Sequence, residues 1–499
     1  MNLPIKVDAP LGMIEPLLIV CGVGFVILIA DLLLPHSKKH WCGTMALIGI
    51  AWAFAIALGQ WGEEQRGYAN MVVLDNLSTI FNLLFLASTF VTILLSEPFL
   101  RSENLEQAEY YALLLFCTSG MMLLASALDL ITLFLGIEVL SISLYVLAGY
   151  RRDSDASNEA AMKYFLLGAF ASAILLYGIA LTYGATGTTS LAGIAEALTS
   201  AEGPFPAGLL LAGMAMILIG FAFKVALVPF HMWTPDVYEG APTPITAFMS
   251  AGPKAAAFAA FLRTFFVAFG PIHGDWNMLL SVIAALTMTV GNVAAIAQTN
   301  VKRMLAYSSI AHAGYILVAM VVGTSLGSSA FMFYLFAYTM ATLGAFAVIV
   351  ALGQPGEDNM NVEEYAGLWS VRPGLAVAMA VFMLALLGFP IFGGIGFFAK
   401  WYVIQAALQT PFPQTHLAII LVVTSVVSAG YYLYVVMVMF MKPRASAAVL
   451  PERTSAWTGA VVWASAAIIL IFGLFPDAIV SLTQRSAPTV SREVALRPR

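Results

Sequence analysis

GFAFKVALVPFHMWTPDVYEGAPTPITAFMSAGPKAAA, Gly220 to Ala257, sets Lys224 and Lys254 into sequence that otherwise reads as membrane-spanning helix, with Pro229, Pro235, Pro242 and Pro244 between them. A lysine at the centre of a bilayer costs about 2.5–3.5 kcal/mol on insertion scales. Two in adjacent spans need water, a partner or a purpose, and we read both as proton carriers.

The rest of the chain supplies the membrane setting. Of 499 residues, 61% are hydrophobic and 10% charged, against roughly 25% charged in ordinary soluble domains. A net charge of −5 argues against nucleic acid as a partner. Cys21, Cys42 and Cys117 have neither metal-ligand nor disulfide-framework spacing and read as buried thiols. No small-residue cleavage site follows the first apolar run, so that span is expected to be retained.

Apolar runs of about 20 residues, the length that crosses a bilayer, predict about fourteen transmembrane helices in an all-α polytopic protein. Basic residues favour the cytoplasmic side. With the N-terminus outside, twelve of them fall on inner loops, among them Lys38, Lys39, Arg151, Arg152, Lys302, Arg303 and Arg453, and seven outside. Lys6, Arg66 and Arg263 are three of the outer seven; the others, Arg485, Arg492, Arg497 and Arg499, lie in the polar C-terminal tail. Both termini are therefore expected on the outer, periplasmic face. Two polar loops, Thr186 to Pro206 with Glu196 and Glu202, and Gly353 to Pro373 with Glu357, Asp358, Glu363 and Glu364, read as solvated connectors.

An internal repeat is also legible. Gly220-Phe-Ala-Phe-Lys224 in the seventh span recurs as Gly396-Phe-Phe-Ala-Lys400 in the twelfth. An odd offset of spans inverts the copy, and each copy lies beside a helix breaker: Pro229 after Lys224, and Pro390, Gly393 and Gly394 before Lys400. Interrupted hydrophobic segments paired across two halves are what inverted-repeat transporters show, because backbone groups freed at a break can be satisfied around a polar cavity. The expected organisation is residues 1–107 as helices 1–3, 108–269 as a first inverted repeat of helices 4–8, 275–441 as a second of helices 9–13, and 442–499 as helix 14 with the tail. Each repeat contains one broken helix. The same offset sets Glu138 of the fifth span roughly opposite His312 of the tenth.

The candidate site is thus Glu138, Lys224, Lys254 and Lys400 as a proton relay, with His312 either a relay or a hydrogen-bonded core histidine. Ionisable groups at this depth usually mark ion paths, with structural pairing the plainer reading. His231, Asp236 and Glu239 lie between the seventh and eighth spans as turn and capping groups or as part of a proton entrance. Asp31, Asp75 and Asp129 fall near span ends and read as structural. Trp233, Trp369 and Trp401 read as interfacial anchors. Ser308, Ser309, Ser425, Ser428 and Tyr431 either order water or pack helices.

Such a row suits reversible protonation, because burial disfavours a charged amine and a nearby carboxylate favours it. A pair at about 4 Å and an effective dielectric of about 20 interacts by roughly 4 kcal/mol. That exceeds the roughly 2.3 kcal/mol opposing one charge at 100 mV, so one pair can gate one proton.

HMWTPDVYEGAPTPITAFMSAGPKAAAFAAFLR (His231–Arg263), KRMLAYSSIAHAGYI (Lys302–Ile316) and GFPIFGGIGFFAKWYV (Gly388–Val403) resemble the subunit N family of bacterial NADH-quinone oxidoreductase, respiratory complex I, over essentially the whole chain. The loop Pro235-Asp-Val-Tyr-Glu-Gly-Ala-Pro-Thr-Pro244 is of the N type rather than that of the sister subunits L and M. The resemblance implies that Glu138 and Lys224 match the family's coupling pair, Lys254 its central lysine and Lys400 the lysine of the second broken helix. It implies no cofactor on this chain, with FMN, iron-sulfur clusters and quinone on partner subunits. It further implies neighbours like subunits K and M and a place in the cell inner membrane. The alternative is a subunit of a multisubunit cation/proton antiporter, and a third reading is a scaffold whose polar row does not conduct.

Overall fold

A computed structural model of the chain describes residues 9–35, 39–200, 207–353, 356, 360–444 and 454–488. Lys6, Lys38, Glu202, Glu357, Asp358, Arg453, Arg492, Arg497 and Arg499 lie outside the described residues. Among those described, the elements in order are α1 (Glu15–Leu33), α2 (His40–Gly59), a hairpin of β1 (Gln65–Gly67) and β2 (Val72–Leu74), α3 (Asn76–Ser102), α4 (Ala108–Ser126), α5 (Leu130–Ala148), α6 (Asp155–Thr186), α7 (Leu191–Thr199), α8 (Ala207–Lys224), α9 (Trp233–Gly240), α10 (Thr243–Val267), α11 (His273–Ile296), α12 (Val301–Val321), α13 (Ser325–Leu352), α14 (Leu368–Val371), α15 (Pro373–Leu387), α16 (Ile395–Leu408), α17 (Thr415–Met441), α18 (Ala456–Leu474) and α19 (Asp477–Ser486). Thirteen helices are long and apolar enough to cross a membrane. The two shorter apolar helices α15 and α16 follow one another as the halves of a further span, which makes fourteen crossings.

Both breaks fall where the repeat predicts. In the first, α8 stops at Lys224 and the chain unwinds through residues 225–232 before α9. A helix end leaves carbonyls without partners, and here the turn itself meets them: Leu227 N donates to Ala222 O (2.8 Å), and the Trp233 indole donates to Phe223 O (2.9 Å). Trp233 is therefore buried, 3% exposed, and stacked on Tyr164 at 4.5 Å. It is not the interfacial anchor expected from the sequence, whereas Trp369 and Trp401 are exposed. In the second break, Gly388 takes a left-handed turn (φ 75°) and Phe389 N reaches back to Leu384 O (3.0 Å).

The repeats share a backbone signature. Leu130 N donates to Thr189 O and Leu191 N to Leu128 O, both 2.9 Å; in the second copy Val301 N donates to Met360 O (2.8 Å) and Val362 N to Thr299 O (2.9 Å). Each bridge ties the start of one helix (α5 or α12) to the chain just beyond the next long helix (α6 or α13). The loop after α6 departs from the expected solvated connector: α7 buries Leu191 and Ile194 beneath it.

Close approach of helices uses small residues, as membrane packing favours. A Cβ on Gly120 of α4 would stand 2.6 Å from Leu140 N of α5, and one on Gly291 of α11 would stand 2.5 Å from Ala311 N of α12. At the centre of the bundle α10 is buried along its whole apolar window, which places Lys254 away from any membrane-facing surface.

Candidate functional site

Lys224, Lys254 and Lys400 are 7%, 2% and 6% exposed and His312 3%. None faces lipid, and among the described residues none of the three lysines forms an ion pair. Each ammonium is instead held by neutral oxygen.

Lys224, the last residue of α8, lies where the carbonyl end of a helix dipole favours a cation. Its Nζ donates to Ser141 Oγ of α5 (2.7 Å) and lies 5.4 Å from the Tyr164 ring centre. Glu138, one turn before Ser141, is half-buried and accepts from Ser172 of α6 (2.6 Å). The carboxylate and ammonium thus do not form the close pair, at about 4 Å, that the sequence suggested. A cavity of about 10 Å³ lined by Ser172, Tyr145 and Lys224 adjoins them, a volume near that needed for one water molecule.

Lys254, midway along α10 and directly after Pro253, donates to Ser309 O of α12 (3.2 Å) and also to its hydroxyl. Three residues on, His312 bonds Tyr334 through Nδ1 (2.7 Å) and Tyr432 through Nε2 (3.0 Å); the Tyr432 hydroxyl also meets Ser308. Three further on, the Tyr315 ring lies 4.7 Å beneath the Lys400 ammonium. Spacing of three residues keeps Ser309, His312 and Tyr315 on one face of α12, so a single helix connects the second and third lysines. Lys400 itself donates to Leu387 O (2.8 Å), the terminal carbonyl of α15, and to Ser425 of α17 (3.0 Å). Charge on Lys400 therefore caps the broken helix that precedes it.

The groups near α9 form a separate cluster. Asp236 accepts from Lys163 of α6 (2.6 Å) and Arg303 of α12 (2.7 Å), and Glu239 also accepts from Arg303 (2.7 Å). Burial pushes the Asp236 carboxyl up, but the bonds from Lys163 and Arg303 outweigh it and leave it below the ordinary carboxylate range. These are ion pairs that clamp α9 to its neighbours rather than caps. Asp31 pairs with Lys39 (2.9 Å), Asp75 with Arg263 (2.8 Å), and Asp129 caps α5 through Ile131 N (2.8 Å), all structural as expected.

Sequence reasoning passed over Ser141, Ser172, Tyr315, Tyr334 and Tyr432. Helical spacing from Glu138 and His312 points to Ser141 and Tyr315. Ser172 and Tyr334 carry no such signal, since no charged residue stands three or four places away on either helix. Among the described residues no three His, Cys, Asp or Glu side chains converge as a metal site.

Residues 127–428 match the family NADH:quinone oxidoreductase/Mrp antiporter, TM. The chain is 48% identical to NADH-quinone oxidoreductase subunit N of Trichlorobacter lovleyi, over 96% of this chain and 97% of that one. This chain belongs to the NADH-quinone oxidoreductase subunit N family. The subunit N of Gemmatimonas aurantiaca is 44% identical over 95% of this chain and 93% of its own. A chain of respiratory complex I from Thermus thermophilus superposes with a TM-score of 0.80 at 36% identity, over 94% of this chain and 99% of that one. A chain of the Mrp complex from Dietzia sp. superposes at 0.84 with 21% identity, over 98% of this chain and all of that one, a likeness of fold.

Proposed function

We propose that this subunit N carries protons across the membrane through Glu138, Lys224, Lys254 and Lys400, with His312 between the last two, while NADH oxidation and quinone reduction proceed on partner subunits. The observation that carries the reading is that three buried ammonium groups, two of them at helix breaks, rest on neutral hydroxyls, carbonyls and tyrosine rings, with no ion pair among the described residues. A purely structural lysine is stabilised by a fixed counter-charge, whereas a carrier must be able to lose its proton without leaving a buried carboxylate unpaired. Glu138 approaching Lys224 would load the lysine, and withdrawal would discharge it toward Lys254 and on to Lys400.

The chain itself contributes no redox step; FMN, iron-sulfur clusters and quinone are assigned to other subunits. Glu138 lies in the α5 stripe of Leu135, Val139 and Ile142, which are 51%, 41% and 58% exposed. A half-buried carboxylate at that depth is costly against lipid, which supports a neighbouring membrane subunit, like K or M, along α5. The matching bridges support a division into 1–107, 108–269, 275–441 and 442–499. The charge bias supports an inner-membrane orientation with both termini periplasmic, which a reporter fused after α19 reads directly. Identity to subunit N chains favours this reading over the cation/proton antiporter, for which the shared family model and the fold speak.

Lys224→Ala in the assembled complex is the test. The expected result is intact complex whose NADH-driven proton uptake into vesicles is lost; unchanged pumping would favour a non-conducting scaffold.

A further inference from the structure

Ser309 gathers more polar groups than its bonds to Lys254 use. The phenols of Tyr238 on α9 and Tyr338 on α13 both neighbour it, and Thr342 neighbours Tyr338 one turn along α13. The Tyr338 ring lies 5.0 Å from His312. Tyr238, Tyr338 and Thr342 are 0%, 4% and 3% exposed, and among the described residues their hydroxyls lie close to Ser309 or to one another without a well-aligned hydrogen bond. A buried hydroxyl without a well-formed hydrogen bond is destabilising, and Phe or Val would fill the same space without that penalty. Volume alone therefore does not account for three such groups around one serine. Hydroxyls both donate and accept, so a set converging on a lysine's acceptor has the composition of a relay.

We propose that Lys254 exchanges its proton through this hydroxyl cluster, with Ser309 as the relay and Tyr238 and Tyr338 as the groups that receive from it. The inference rests on the reading of Lys254 as a carrier. In the step, an N–H of the Lys254 ammonium passes its proton to Ser309 Oγ as the serine O–H proton moves to a phenol oxygen. The phenol proton leaves in turn to a water molecule, so each bond broken is matched by one formed and no oxidant or reductant takes part. Tyr238 sits on α9, the short piece that follows the first break, whose backbone is tied to α10 by the Thr246 hydroxyl donating to Tyr238 O (2.9 Å). A shift of α9 would therefore carry the phenol relative to Ser309 and couple the state of the first broken helix to the central lysine. Asp236 and Glu239, both half-buried, stand on the same short helix.

The double variant Tyr238→Phe/Tyr338→Phe keeps both rings and removes only the oxygens. In intact complex reconstituted into vesicles we expect NADH-driven proton uptake at least fivefold slower, with an altered solvent deuterium isotope effect and an unchanged yield of assembled complex. Wild-type pumping with a wild-type isotope effect overturns the proposal. Should the double variant fail to assemble, each single Phe variant is read by the same two criteria. Lys254→Ala serves as the control: if it pumps normally, the carrier reading of Lys254 fails, whereas a dead Lys254→Ala beside a normal double Phe variant sinks the cluster alone.

Discussion

At the scale of single residues, what distinguishes this row is the neutrality of its partners. Ser141 gives Lys224 its one side-chain acceptor within hydrogen-bond reach, and a hydrogen bond to a charged group contributes about 1.5–3 kcal/mol. Ser141→Ala removes that acceptor without adding bulk. Proton uptake by reconstituted complex is expected to fall about tenfold, the factor that about 1.4 kcal/mol represents, with assembly unaffected. A fall of that kind separates a tuned carrier from a lysine whose place is set by packing, for which the lost hydroxyl would register as stability instead.

At the scale of elements, the broken helices depend on contacts that leave no room for a side chain. A Cβ on Gly396 would stand 2.0 Å from Ala385 O, backbone against backbone across the break between α15 and α16, whereas one on Gly430 of α17 would meet nothing within 4 Å. Gly396→Ala must push the two half-helices apart and drag Lys400 from the Leu387 carbonyl. Overpacking of this kind costs about 1–3 kcal/mol or more. Thermal unfolding of the purified complex is expected to show a lower Tm for Gly396→Ala and no change for Gly430→Ala.

At the scale of the whole molecule, a charged tie fastens the bundle at the end where α3 starts and α4 and α10 finish. Arg263 of α10 donates to both Asp75 oxygens (2.8 and 2.9 Å) and to Ala125 O (3.1 Å), joining α10 to the starts of α3 and the end of α4. Burial raises the Asp75 carboxyl, but the Arg263 charge and hydrogen bonds, with the Ser78 N–H, outweigh it and hold it below its ordinary value. A carboxyl so depressed adds stability that is fully present above the unfolded value of about 3.9 and is lost as pH falls through the lower native value. Asp75→Asn is expected to destabilise the protein by about 3 kcal/mol at neutral pH, where it leaves a buried guanidinium without its counter-charge. The difference from wild type should narrow below about pH 4, as followed by thermal unfolding across pH.

The sequence alone determined the membrane class, the number of crossings, the two breaks and the identity of the buried lysines, because those rest on local quantities: run length, proline and glycine placement, and charges too costly to leave in an apolar stretch. Tertiary structure alone decided what each lysine touches. Ser172 beside Glu138, Tyr432 and Tyr334 around His312, and the Tyr164 ring that holds Trp233 inward all come from other helices, and a polar residue on a mostly apolar helix acquires its meaning only from the face that a neighbour presents to it. The separation of Glu138 from Lys224 was beyond reach for the same reason, since distance between two helices is set by the side chains packed between them.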